Sequence, residues 1–299
     1  MSLLTLLRKQ QVAQPQVLFS VDFVNFDIVG NFGALSLERA SIATSIDDSP
    51  NLVLNQENQL RLTADVNGTS LGLLLEPTRT NLLTYSDFDT VPPTDWNVGF
   101  GSGTFNYSVA DWPFTGDFTG IKQEQITLGR SFLTQSVPVE ANKTYTASVF
   151  VDPTQSEVLQ GSGTIFTISG SDVTTQTRTI ADVDNQSRLS MQFTPTADSN
   201  VKIRIGVGAF GNARGTLVYT APQIEEGDNA TSWIPTTDTP LTRAADVATL
   251  DLSALGTTNP SVVLSSALRQ AAGTLATFDN LTINVNNAGD VVFSPHATI

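Results

Sequence analysis

The chain has 299 residues, 40% of them hydrophobic and 15% charged, with no cysteine and a formal net charge of −14. Disulfides, thiol chemistry and cysteine-ligated metals are therefore excluded. So acidic a surface repels phosphate backbones and anionic lipid alike, so neither a nucleic-acid nor a membrane partner is expected. The low charge is made up by Thr, Ser, Asn, Gln and Gly, which suit the outward faces and turns of sheets. A Ser-His-Asp triad would have to use the single histidine, His296, in a terminal segment poorly suited to catalysis.

Ser2 is placed to cap a short helix that puts Leu3, Leu6 and Leu7 on one face. So short a helix is marginal alone. It packs on its own domain, or it serves residues 1–16 as a docking segment for a partner or for copies of itself. Arg8 and Lys9 follow the leucines instead of preceding them, which is not the pattern of a signal peptide. No apolar run approaches the roughly 20 residues of a membrane helix.

Residues 17–70 read as a lead-in β segment. Val17 to Phe23 is a strand, and Leu60, Leu62, Ala64 and Val66 alternate with polar residues before an Asn67-Gly68 turn. Residues 71–243 are the best-defined block. Leu133 to Val139, Lys143 to Val151, Arg188 to Thr194, Val201 to Val207 and Leu217 to Ala221 all alternate, separated by Gly- and Asn-rich turns. Many short strands at such spacing define an antiparallel sandwich or barrel, not a parallel α/β sheet. Pro138 makes its strand an edge or ends it, and Glu140 to Lys143 reads as a hairpin loop. Residues 244–299 form a small C-terminal β unit. Val262, Leu264 and Leu268 alternate, although Ala267 to Ala272 fits a helix equally well. Leu281, Ile283 and Val285 alternate, Asn286 to Gly289 turns, and Val291 to Phe293 returns. This is too little chain for its own core, so it must pack on the sandwich or on the same segment of other subunits.

Aromatic side chains gather at Trp96, Tyr107, Trp112 and Phe114, with Asp111, Asp117 and Asn106 beside them. Flat rings with a few polar groups are the chemistry of sugar binding. Trp96 serves equally as core, whereas Trp112 sits among Asp, Pro and Gly in a loop. No pair of carboxylates is singled out for glycoside hydrolysis. Asp47-Asp48 and Glu225-Glu226 are adjacent, and adjacent residues on a strand face opposite sides. The glycine-rich runs at 99–103 and 206–211 precede no helix and read as sheet turns. Arg79-Thr80-Asn81 reads as a turn into the first sandwich strand.

Four stretches carry a family pattern: Leu37-Glu38-Arg39-Ala40-Ser41-Ile42-Ala43-Thr44, Leu73 to Phe88 followed by Trp96, Gln223 to Gly227 with Ala230 to Thr236, and Thr242-Arg243-Ala244-Ala245-Asp246. With Leu133 to Val137 and Lys143 to Val149 as a central hairpin, their order resembles phage structural proteins that carry a carbohydrate-binding-module-like jelly roll, over roughly residues 17–250. The resemblance implies a virion protein made in the host cytoplasm, namely a tail fibre, tail adhesin or head fibre. It also implies a homotrimer whose partners are other virion proteins and a host-surface glycan, with Trp233 packing into the core at the closing strand. Jelly-roll modules often hold a structural calcium, for which Asp87, Asp89 and Glu225 are candidates; the same carboxylates can equally be solvated surface groups, and no other cofactor is expected. The family's lectin-like second domain would follow Asp246, but the remaining chain is too short for one. The expected fold is an all-β, antiparallel jelly-roll β-sandwich with a short N-terminal helix and a small C-terminal β unit. The expected function is that of a non-enzymatic fibre or spike subunit that binds glycans. The alternatives are a capsid decoration or tail adaptor protein without ligand, and a glycan-degrading enzyme.

Overall fold

A computed structural model describes residues 19–22, 27–30, 35–65, 67–88, 90–110, 119–183, 188–250, 273–278, 281–285 and 291–295. The N-terminal helix with Leu3, Leu6 and Leu7, the segment 262–268 and His296 lie outside them. Among the described residues the only helical element is the short 3-10 turn Ile180–Asp182.

The lead-in segment folds as short strands: β1 (Phe19–Asp22), β2 (Asp27–Gly30), β3 (Leu35–Glu38), β4 (Ala43–Ile46), β5 (Leu52–Asn55), β6 (Leu62–Ala64) and β7 (Ser70–Leu73). Antiparallel pairs join β1 to β2, β4 to β5 and β6 to β7. The expected turn at Asn67-Gly68 lies between β6 and β7. Gly68 is in the left-handed region at φ 79°, and Asp65 accepts from the backbone N–H groups of Asn67 and Thr69.

The sandwich comprises β8 (Arg79–Asn81), β9 (Asn97–Ser102), β10 (Phe105–Ala110), β11 (Gly120–Val139), β12 (Tyr145–Val151), β13 (Glu157–Gly161), β14 (Thr164–Gly170), β15 (Val173–Thr179), β16 (Arg188–Phe193), β17 (Ser199–Ile205), β18 (Ala213–Glu226) and β19 (Leu241–Arg243). Strand β11 serves both sheets. Its first part pairs with β10 and β18 through residues 121–125, and its second pairs with β9 and β17 from residue 130 onward. One sheet therefore runs β10–β11–β18–β12–β16, with β13 beside the first half of β18, and the other runs β9–β11–β17–β14–β15. The strand crosses between sheets at an irregularity in residues 125–129, the usual device for turning a corner. A Cβ on Gly129 would come within 1.9 Å of the Ser102 carbonyl oxygen, so only glycine allows the crossing. Buried polar groups brace it: Ser131 Oγ donates to Gln125 Oε1 at 2.5 Å, Gln123 Nε2 to Ser131 O at 2.8 Å, and Val207 N to Gln123 Oε1 at 2.9 Å.

The alternation read in the sequence becomes the core. Leu133, Val137, Phe166, Ile168, Ile203 and Ile205 of one sheet face Ala147, Val149, Leu189, Met191, Leu217 and Tyr219 of the other, all buried in one cluster. Fully burying one large aliphatic or aromatic side chain is worth about 1.5–3 kcal/mol. Strand β12 is buried at every residue because its outer face is covered too. Phe150, Val218 and Ala221 pack there with Leu52 and Ile46 of the lead-in segment and with Trp233, which is the core role expected for this tryptophan.

One connection differs from expectation. Glu140 to Lys143 does not close a hairpin, because β18 occupies the place beside β12 and β11 lies beyond it. The loop instead carries the chain from one sheet to the other. Pro138 lies one residue before the end of β11, on a stretch that β9 no longer pairs. Past the sandwich, β20 (Val247–Leu250) pairs with β3, so the C-terminal region begins on the lead-in segment. Then β21 (Gly273–Phe278), β22 (Leu281–Val285) and β23 (Val291–Pro295) form a three-stranded antiparallel sheet.

Candidate functional site

Charge is concentrated inside the molecule where the lead-in segment meets the sandwich. Arg39, Arg61 and Arg243 are buried there around Glu76 and Asp246. Arg39 Nη1 donates to Asp246 Oδ1 at 2.9 Å, and Arg61 Nη2 donates to Asp246 Oδ2. Arg61 Nη1 pairs with Glu76 Oε2 at 2.9 Å, and Arg243 lies 3.5 Å from Glu76 and 3.6 Å from Asp246. Ser232 donates to Glu76 from its backbone N at 2.7 Å and from Oγ at 2.5 Å. Burial alone would raise the Glu76 pKa. The guanidiniums of Arg243 and Arg61, helped by Ser232, outweigh it and hold the carboxyl down to about 2. Each of the four quoted stretches contributes at least one member, so the motif order in the sequence traces a single buried junction.

A second buried node joins two of these stretches, 73–88 and 223–236. Asn81 donates through Nδ2 to Ile234 O at 2.9 Å and to Ser86 Oγ at 3.2 Å, and its Oδ1 accepts from Leu83 N and Ile224 N at 3.2 Å each. The turn role read for Arg79-Thr80-Asn81 is thus filled by Asn81, while β8 pairs with β19.

Of the aromatic candidates, Trp96 and Tyr107 are among the described residues, and these two do not form a sugar platform. Trp96 is buried against Phe88, edge to face at 5.6 Å, and its indole N–H donates to Thr84 O and Tyr85 O. It is core and offers no face to a ligand, which removes it from the glycan candidates. Tyr107 is half-buried against the core with its hydroxyl pKa raised by burial, and Phe105 lies edge-on to it at 5.8 Å. Asn106, on the opposite face of β10, is exposed. Trp112, Phe114, Asp111 and Asp117 lie outside the described residues.

Of the calcium candidates, Asp87 and Glu225 are among the described residues. Glu225 is buried and already occupied, accepting from Thr231 N at 2.8 Å, Thr231 Oγ1 at 2.6 Å and Gln223 Nε2 at 2.7 Å, with Arg79 Nε at 3.7 Å. Asp87 is half-buried and Asp89 lies outside the described residues. Among the described residues no group of three or more metal-ligating side chains occurs.

A surface that sequence reasoning missed lies on the outer face of the β9–β11–β17–β14 sheet. The register aligns Asn97, Thr134, Arg204 and Thr167 in one row across four strands. Side chains two residues apart share a strand face, so Phe132, Ser136 and Lys202 flank this row. A cavity of about 350 Å³ is lined by Asn97, Phe132, Thr134, Ser136, Lys202 and Arg204. The Phe132 ring lies over Gly99, where a Cβ would come within 2.2 Å of it. Arg130 and Arg204 both lie over this ring, at 5.7 and 5.4 Å from its centre. The sequence held only a weak signal for this site: basic residues at alternate positions, Lys202 and Arg204, on one strand.

The sequence matches no protein-family model and no curated relative. Among solved structures, one similar chain is the CBM22-1–GH10 modules of the N-terminal endo-1,4-β-D-xylanase 10B of Clostridium thermocellum, complexed with xylohexaose. The TM-score is 0.32 at 11% identity, over 54% of this chain and 30% of that one. Another is the CBM22-1 xylan-binding domain from Paenibacillus barcinonensis, with a TM-score of 0.33 at 16% identity, over 52% of this chain and all of that domain.

Proposed function

We propose that this chain is a non-enzymatic, glycan-binding jelly-roll protein that acts as one subunit of a virion fibre or spike. The observation that carries the binding role is the polar groove on the outer face of the β9–β11–β17–β14 sheet. It offers amide, hydroxyl and cationic groups on rigid strands, the arrangement that orients a polar ligand. The virion setting rests on the resemblance of the four motif stretches, whose residues the fold uses to build one junction. The non-enzymatic reading is supported by the buried acids: Glu76, Asp152, Glu225 and Asp246 are each held by hydrogen bonds or ion pairs within the fold. Many copies on one particle would turn weak sites into firm attachment. The test is binding of the full chain to an array of bacterial surface polysaccharides, with product analysis on any bound polymer. Binding without cleavage supports the reading. Cleavage would replace it with the glycan-degrading enzyme, and the absence of any binding would remove the glycan role.

A second reading, a decoration or adaptor protein without ligand, is favoured by an apolar end of the sandwich. Phe100 (71% exposed), Ile126, Leu128, Leu159 and Phe210 stand out there. Their segments adjoin: Ile126 N bonds Thr104 O, Ser162 Oγ bonds Phe210 O, and a Cβ on Gly208 would lie 3.1 Å from Gly129 O. Clustered exposed apolar groups mark protein contacts. The molar mass of the purified protein by light scattering tests this surface. A trimer whose mass falls when Phe100 and Phe210 are replaced would put it between subunits, and a monomer leaves it to a different virion protein.

A further inference from the structure

In a chain of net charge −14, six cations among the described residues have no ion pair; Arg178, Arg188 and Arg214 lie apart on three different strands, whereas the other three gather on one face. Arg39, Arg61, Arg79 and Arg243 are paired inside the fold, Lys122 lies 2.7 Å from Glu124, and Lys143 lies 3.1 Å from both Glu140 and Glu226. Arg130, Lys202 and Arg204 have no carboxylate within ion-pair distance among the described residues, and all three belong to the outer face of the β9–β11–β17–β14 sheet.

Their arrangement is costly without an anion. Arg130 and Arg204 share one aromatic ring, so two like charges are held close together. Burial and the charge of Arg130 both act against the charged form of Arg204. The ring fixes both guanidiniums, which removes much of the rotamer entropy that an arginine ordinarily loses on binding. The floor of the face also holds unused hydrogen-bonding capacity. Thr167 is fully buried beside Arg204 in the register, and neither its Oγ1 nor Arg130 Nε has a hydrogen-bond partner. Around these cations stand Asn97, Thr134 and Ser136, neutral groups of the kind that bind sugar hydroxyls.

Resting on the glycan reading above, we infer that this face binds a carboxylate-bearing sugar of an acidic polysaccharide, with Arg130, Lys202 and Arg204 receiving the carboxylate and Asn97, Thr134 and Ser136 the hydroxyls. Phe132 is the positioning residue, because both guanidiniums lie over its ring. A nucleic acid fits less well. Its phosphates are dense, about one per 1.7 Å of duplex axis, and the rest of this acidic surface would repel them. A polyuronate spreads its charge between neutral hydroxyls, as this face spreads its cations between Asn, Thr and Ser.

The test uses the full chain and titrates it with polygalacturonate, alginate, the same polymers with their carboxyls reduced to neutral sugars, dextran sulfate and an oligodeoxythymidylate. The expected result is binding to a polyuronate at least about tenfold tighter than to its reduced form, weakened by added salt. Lys202→Gln and Arg204→Gln should each lower that affinity at least about fivefold without moving the thermal midpoint of the free protein. Lys202 is exposed, so its variant tests the site even if Arg204→Gln perturbs Phe132. Equal binding of the reduced polymers overturns the inference and leaves the glycan reading standing. Absence of binding to every polysaccharide overturns both. Equal or tighter binding of dextran sulfate or the oligonucleotide overturns the carboxylate selectivity, and selective binding that neither variant weakens overturns the location.

Discussion

Glu76 and Asp246, 170 residues apart, exchange two hydrogen bonds, one between backbones and one to a side chain: Asp246 N donates to Glu76 O at 2.9 Å, and Glu76 N donates to the Asp246 carboxylate Oδ2 at 2.9 Å. The residue that leads into the sandwich is thereby stapled to the residue that leaves it. Arg61 bonds to both carboxylates across the staple. Three guanidiniums and two carboxylates out of contact with water are stable only as a complete set, because removing one member leaves its partner desolvated and unpaired.

Replacing Glu76 by Gln should therefore cost about 3–5 kcal/mol. At about 2–4 °C per kcal/mol, the thermal midpoint should fall by roughly 6–20 °C. Calorimetry at neutral pH checks this, and an unchanged midpoint would show that the network contributes nothing.

The same carboxyl sets an acid limit. Its pKa is held down to about 2 in the fold against an ordinary 4.5. A lowered folded value stabilises the charged fold at every pH above the ordinary one, by about 3 kcal/mol here, and that contribution is lost as pH falls from 4.5 toward 2. Denaturant melts across that window should show wild-type stability falling more steeply than that of Glu76→Gln. Parallel curves would refute the assignment.

Trp96 is a core residue, so its substitution should act on stability and not on ligand binding. Trp96→Phe keeps most of the packing but leaves Thr84 O and Tyr85 O without their indole donor, at a cost of about 1–3 kcal/mol. Polysaccharide titrations of the folded variant should match wild type. A selective loss of binding would return Trp96 to the ligand site.

Gly129→Ala should splay β9 from the corner of β11, since the new Cβ meets the Ser102 backbone oxygen. Hydrogen exchange should rise in β9 and in the second half of β11 while β12 and β16 stay protected. Uniform exchange would mean that the corner adapts without opening.

If the apolar end is an interface, Phe100→Ser with Phe210→Ser should lower the molar mass measured by light scattering and leave the monomer folded. Both side chains are exposed, so their loss disturbs little within the subunit. An unchanged oligomer would place its contacts elsewhere.

Period-2 alternation was enough to place β12, β16, β17 and β18, because a strand with one face in the core must repeat every second residue whatever lies across from it. The turn at Asn67-Gly68 and the turn role of Asn81 were also legible, since each rests on what one short segment does with its own backbone. Pairing was not legible. Val137-Pro138-Val139 and Tyr145 look like two arms of a hairpin, and only the insertion of β18 next to β12 shows that they belong to opposite sheets. Trp96 showed its chemistry but not its surroundings, since a buried and an exposed indole are spelled alike. The ion network and the cationic face depend on residues brought together from distant strands: Arg39 meets Asp246 across 207 positions, and Arg130 meets Arg204 only because β11 pairs with β17. Hydrophobic periodicity is a local property and survives in the sequence. A charge acquires its meaning from the dielectric and the neighbours around it, and those exist only once the chain has folded.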